Sequence, residues 1–259
     1  MDIVVVFATG IAVGFISTLF GLGGGIIMVP VLSLVLPFSH LEAVATSLAT
    51  IVFVAAFNTF NFHRKGVVVW HIVPFIALPS ALMAFFTARL SLYLPEKLLV
   101  LIFLLFLIWV AVRTFLIRDI PGEVRLGTGK LVPFGIGTLS GFISGFTGIG
   151  GGGITTPLMM ISGLVRNVQA APTSNAIMVF TALFGSLSFA LSPFEGNQNY
   201  MLGYIHLDSA LLLFAGGAMI SPIGVKLNHL LSLRLRKSIL GIILVLICFR
   251  LMLMFLNGK

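Results

Sequence analysis

The sequence predicts an all-α polytopic membrane protein made of two homologous halves, and three observations carry that prediction. Of 259 residues, 59% are hydrophobic and only 8% charged, with a mean hydropathy of +1.17, whereas a soluble domain is about a quarter charged. Apolar runs such as 44–62 match the ~20 residues that cross a ~30 Å hydrocarbon layer, and the alternating polarity of barrel strands is absent, so helices must satisfy the backbone. Finally, a glycine cluster that interrupts the first apolar run, Gly21-Leu22-Gly23-Gly24-Gly25-Ile26-Ile27-Met28-Val29-Pro30, recurs 127 residues later as Gly148-Ile149-Gly150-Gly151-Gly152-Gly153-Ile154-Thr155-Thr156-Pro157.

Each element follows from this frame. Residues 3–36 are too long for one span, so the cluster divides them into a first helix over about 3–20 and a short helix over about 26–36 that stops before Pro37. Three further spans follow near 43–62, 67–89 and 98–117. The first repeat is 1–118, a polar connector covers 119–130, and the second repeat is 131–259. The copy keeps its offset without a gap from Gly14/Gly141 to Phe62/Phe189, including Thr46-Ser47 against Thr173-Ser174. It then slips at the longer polar segment 192–203, and spans near 204–225 and 238–256 complete it.

Charge sets the expected topology. The net charge of +8 comes from basic residues standing singly or in small groups at the ends of apolar runs, and no segment outside the bilayer is long enough to form a nucleic-acid-binding face. If each short helix continues its first span, each half crosses four times and the basic residues divide evenly. If it passes back, each half crosses five times and they divide eleven to three, which the positive-inside rule prefers. The expectation is therefore an inverted repeat in a cell (inner or plasma) membrane, with the N-terminus outside and the Arg64-Lys65 loop in the cytoplasm. A short helix rises only about 16 Å, so extended backbone shielded by protein must complete its passage. Met1-Asp2-Ile3 lacks a basic leader region, so the N-terminus reads as a first span. Cys248, the only cysteine, reads as a packed apolar thiol.

The candidate site follows from the glycine breaks. Adjacent glycines cost a helix about 1 kcal/mol each relative to alanine, so a break is expected at Gly21, Gly23, Gly24 and Gly25, and at Gly148, Gly150, Gly151, Gly152 and Gly153. The amides that open the next helices (Ile26, Ile27; Gly153, Ile154) then lack helical partners and form a positively polarised anion site. Thr46, Ser47, Thr173 and Ser174 recur beside the breaks as hydroxyl donors to an oxyanion, although such hydroxyls often bond back to their own helix. Asn175 is an intramembrane polar candidate. Pro30 and Pro157 read as kinks, while Gly10, Gly14, Gly137, Gly141 and Gly145 read as close-packing faces.

Other chemistries find no support. Gly148, Gly150 and Gly153 match a dinucleotide-binding spacing, but Ile26 breaks it in the first copy and no acid follows at the required distance. There is no phosphate-binding loop, metal-ligand spacing, catalytic motif or implied cofactor. No acid lies deep within a span, which leaves an acid-based proton relay without a carrier, and no coupling ion is indicated. Arg250, within the last span, is expected to snorkel.

The paired motif Gly14-Phe15-Ile16-Ser17…Gly21-x-Gly23-Gly24-Gly25-x4-Pro30…Ala43-x2-Thr46-Ser47 and its copy at 141–174 resemble the TauE/SafE sulfite exporter family, also called the toluene sulfonate uptake permeases. The resemblance implies a multi-pass secondary transporter of small sulfur-containing anions, such as sulfite or organosulfonates, working by alternating access between repeats. Members similar to thiosulfate carriers use cysteines near the glycine turns, and this chain has none there. A passive anion pore and a non-transporting structural subunit are the alternative readings.

Overall fold

The computed structural model describes residues 3–116, 129–194, 200–230 and 233–256. Among them are ten helices: α1 (Ile3–Phe20), α2 (Gly25–Leu34), α3 (His40–His63), α4 (Val73–Ser91), α5 (Glu96–Leu116), α6 (Leu131–Thr147), α7 (Gly152–Ile161), α8 (Asn167–Ala190), α9 (Leu207–Leu230) and α10 (Leu233–Leu256). Two short strands, β1 (Met201–Leu202) and β2 (Ile205–His206), pair antiparallel before α9. Six helical segments are long and apolar enough to cross a membrane, drawn from α1, α3, α4, α5, α8 and α9; α2, α6, α7 and the 238–252 part of α10 are shorter apolar segments. The connector 119–130 lies outside the described residues except for 129 and 130.

Helix starts follow local chemistry. Helix α3 begins at His40, earlier than the apolar run alone suggests, because Ser39 and Glu42 form a reciprocal capping box that satisfies two of the free N-terminal amides. Helix α4 begins later than expected, at Val73, after the 3₁₀ turn Trp70–Ile72, and Pro74 in its first turn suits a helix start. The two strands carry no periodic signal in the sequence, since two residues cannot display alternation.

Contacts fix the helix directions. Helix α1 runs alongside α9 in the same sense, with Gly10 packed on Leu213, Gly14 on Gly217 and Thr18 on Gly224. Helix α6 runs alongside α4 in the same way, with Gly137 on Ile76, Gly141 on Ser80 and Gly145 on Ala84 and Thr87. A Cβ at Gly10, Gly14, Gly137, Gly141, Gly145 or Gly224 would strike backbone or side-chain atoms of the neighbour, so their absent side chains permit the approach. Helices α3 and α8 are antiparallel, because Leu48 meets Gly185 while Asn58 bonds Asn175.

Two faces follow. His40 N donates to Glu96 Oε1 at 2.7 Å and His206 approaches Glu42, which puts the starts of α3, α5 and α9 on one side, the His40 face. Lys65 Nζ donates to Val225 O at 3.4 Å and Val69 N to Thr173 Oγ1 at 3.1 Å, which puts the end of α3 and the starts of α4 and α8 on the other, the Lys65 face. Helix α1 reaches the level of Gly224 near the Lys65 face, and α2 leads back to Ser39 and His40. The glycine turn and the ten residues of α2, which rise only about 15 Å, together make this return passage. In the second half α6 runs from the Lys65 face and α7 returns to it.

Candidate functional site

In both glycine turns the same three positions carry left-handed backbone: Gly21, Gly23 and Gly24 at φ 64°, 75° and 78°, and Gly148, Gly150 and Gly151 at 69°, 78° and 82°. Only glycine adopts this region without a steric cost of about 1–2 kcal/mol. Gly24 and Gly151 serve as N-caps of α2 and α7 without any side chain to cap with.

The turns lie against one another. A Cβ on Gly25 would strike the carbonyl of Gly148, one on Gly152 would strike that of Gly21, and one on Gly23 would meet the carbonyl of Ile149. Ile51 of α3 and Met178 of α8, also 127 residues apart, flank this contact beside Gly23 and Gly150. Both turns are buried throughout.

The helix openings differ in one respect from the sequence expectation. Ile27 N and Ile154 N are not free, for they close tight bonds of 3.0 and 3.1 Å to Gly24 O and Gly151 O. The amides of Gly25, Ile26, Gly152 and Gly153 have no hydrogen-bond acceptor among the described residues. Pro30 and Pro157 take the sixth position of α2 and α7 and leave the carbonyls of Ile26 and Gly153 without a helical donor.

The hydroxyls act between the halves. Ser47 Oγ donates to Gly148 O at 2.7 Å, and Ser174 Oγ donates to Gly21 O at 2.9 Å, so each half clasps the turn of the other. Thr46 Oγ1 accepts from His206 N, and Thr173 Oγ1 from Val69 N, both at 3.1 Å. All four side chains are fully buried. Thr156 Oγ1 adds a second donor to Gly21 O at 3.0 Å, and Ser140 and Thr155 both bond Gly151 O.

Asn175 belongs to a buried network. Its Oδ1 accepts from Ser17 Oγ and Asn58 Nδ2, and its Nδ2 donates to Ser17 O and Ala171 O. Ser221 Oγ extends the network to Asn58 Oδ1. The corresponding place in the other half is apolar, with Leu48 where Asn175 stands and Gly185 where Asn58 stands, and Ser144, the counterpart of Ser17, has no partner for its buried Oγ.

Sequence reasoning missed several of these residues. Ile51 and Met178 stood at the repeat offset but carried no polar signal, and Ser140, Thr155 and Thr156 resembled ordinary in-span hydroxyls. His206, just before α9, is buried, and its Nε2 lies 3.2 Å from Glu42 Oε1.

Several proteins are similar to this chain along nearly its whole length. A "Probable membrane transporter protein" of Haemophilus influenzae is 29% identical over 256 residues, covering 92% of this chain and 93% of its own. A second protein of that name from the same organism is 29% identical over 252 residues, covering 91% and 90%. One from Methanocaldococcus jannaschii is 28% identical over 244 residues, covering 90% of each chain. No solved structure matches. The family model described as "Sulfite exporter TauE/SafE" matches residues 6–251, nearly the whole chain, and this membrane protein therefore belongs to the TauE/SafE sulfite exporter family.

Proposed function

We propose that the chain is a secondary transporter of small sulfur-containing oxyanions, such as sulfite or organosulfonates, that works by alternating access at the contact between the two glycine turns. The observation that carries this reading is the reciprocal clasp of Ser47 on Gly148 and Ser174 on Gly21. One clasp lies toward each face, so parting the halves at one face releases one serine hydroxyl while the other clasp holds. A released hydroxyl and the amides of Gly25, Ile26, Gly152 and Gly153 supply neutral donors at two helix N-termini, a setting that favours an anion without a buried cation. Thr46 and Thr173 stand one residue away.

A neutral hydrogen bond contributes only about 1 kcal/mol net, so either clasp opens without a large barrier. Clasps at both faces favour a carrier over a passive pore. The opposed helix directions support an inverted relation between the repeats 1–118 and 131–259. Among the described residues Arg64, Lys65, Lys130, Arg166 and Lys226 gather toward the Lys65 face, against Arg89 and Lys97 toward the His40 face. By the positive-inside rule the Lys65 face is cytoplasmic.

Counterflow in proteoliposomes, with sulfite, sulfate, thiosulfate and an aryl sulfonate as the panel, tests this function. Saturable exchange of at least one sulfur oxyanion is expected, and its loss in Gly24→Leu and Gly151→Leu variants that still insert in the membrane. Flux that neither saturates nor exchanges would indicate a pore, and absence of any flux would overturn transport of these anions.

A further inference from the structure

The two ends of the molecule are built alike in their hydrogen bonds but not in their charge. At the Lys65 face, Val69 N bonds Thr173 Oγ1, and Gln169 caps α8 through Arg166 N, with uncharged groups at each contact. At the His40 face the matching bond is His206 N to Thr46 Oγ1, Glu42 stands where Gln169 does, and the histidine adds its ring. His206 Nε2 lies 3.2 Å from Glu42 Oε1, and the imidazole stacks on Phe38 at a centroid distance of 4.0 Å. Both residues are buried, at 8% and 9% exposed.

Glu42 is prepared for this contact. Its Oε2 accepts from Ser39 N and shares a bond with Ser39 Oγ, both 2.7 Å, which leaves Oε1 aimed at the imidazole. His206 arrives on a tight strap, where β1 and β2 pair, Leu207 N closes on Tyr200 O at 3.0 Å, and Gly203 packs against Phe189 O. The strap thus joins the second half to α3 of the first at the turn of helix that carries Thr46 and Ser47.

Other titratable groups surround the pair, and among the described residues none of them bonds it, although the buried His40 Nε2 two residues away has no partner of its own. On α3, His40 presents its ring edge to Phe103 while its amide bonds Glu96 of α5. Asp208 of α9 accepts from Ser209 N and Oγ, and Arg89 donates to Ser192 Oγ. Tyr204 packs on Phe189 and Phe194, Tyr200 and Lys97 are exposed, and α8 carries no titratable side chain.

We propose that Glu42 and His206 form a proton-binding site that governs opening of the His40 face. The proposal rests on the alternating-access reading and adds its regulating ligand. Histidine is the side chain whose charge changes between about pH 5 and 8. A proton on His206 turns its contact with ionised Glu42 into a charge-assisted bond, and that bond exists only while the strap sits on α3. The proton therefore favours the closed face, and by linkage opening of that face releases it. Loss of the proton on the alkaline side leaves a weaker neutral bond, and the face opens more readily. Among the described residues the Lys65 face has no such carboxylate–imidazole pair.

Spin labels at Leu98→Cys and Leu202→Cys in a Cys248→Ala background, in lipid nanodiscs, read this opening without any transported ion. The expected result is a longer-distance population that grows about five-fold from pH 5.5 to pH 8.5, the ratio for a change of one ordinary hydrogen bond. In His206→Gln, and separately in Glu42→Gln, the distribution is expected not to change with pH. A distribution independent of pH in the labelled parent, or an undiminished pH response in both variants, would overturn the proposal. Because the readout is a distance, a failure of anion transport leaves this test standing, and a failure here leaves the transport reading intact.

Discussion

Gly24 illustrates how single residues hold the turns. Its φ of 78° disfavours any side chain, and a Cβ would also strike Val13 of α1. Gly24→Ala is expected to cost about 2–4 kcal/mol from left-handed strain and overpacking together. Gly66 is the control, since it has φ 65° but nothing within 4 Å of a Cβ, and Gly66→Ala is expected to cost only about 1 kcal/mol. Thermal unfolding in detergent checks both. A second pair separates Ser17 from Ser144. Ser17 bonds Asn58 and Asn175, so Ser17→Ala should lower Tm, whereas Ser144 buries an unpartnered Oγ, and Ser144→Ala should leave Tm unchanged or raise it. At this scale the sequence marked the glycines, because adjacent glycines are costly in a helix. It could not show that Ser47 and Ser174 reach the opposite turn, because neighbours across the halves are a property of tertiary packing.

Helices α2 and α7 are too short to be stable alone and depend on what surrounds them. The extent of α2 was legible to within a few residues, since the glycine break sets one end and the group before Pro37 the other. The start of α3 was displaced because Ser39-His40-Leu41-Glu42 reads equally as a polar break or as a capping box, and only the bond of Glu42 back to Ser39 decides it. Ser39→Ala is expected to cost about 1 kcal/mol through the lost cap. It also removes one of the two bonds that hold Glu42 Oε2, leaving only the one from the backbone amide of residue 39, so the variant should weaken the strap at the His40 face. Amide hydrogen exchange across 200–207 measures this, and protection equal to the parent would mean that the cap does not position Glu42.

At the scale of the whole molecule, the helical membrane character was legible, because composition and the length of apolar runs are written along the chain. Which helices meet was not, as the pairing of α1 with α9 and α4 with α6 crosses between halves through glycines that look alike in sequence. In the proposed alternating-access cycle the two clasps oppose each other, and their balance can be tested. Ser47→Ala removes the bond toward the His40 face, and Ser174→Ala the bond toward the Lys65 face. At about 1 kcal/mol per clasp, each single variant should shift the ratio of outward-open to inward-open molecules about five-fold, in opposite directions. The double variant should return near the parental ratio, because it removes one bond from each closed face. Labelling a cysteine at Lys97 or Lys65 from one side at a time, in the Cys248→Ala background, first establishes that the two faces lie on opposite sides of the membrane. The same labelling at Ile51→Cys, beside the contact between the turns, then follows the ratio. Opposite shifts that cancel are the signature of two clasps acting on one contact, and shifts in the same direction would mean that the serines only hold the turns in shape.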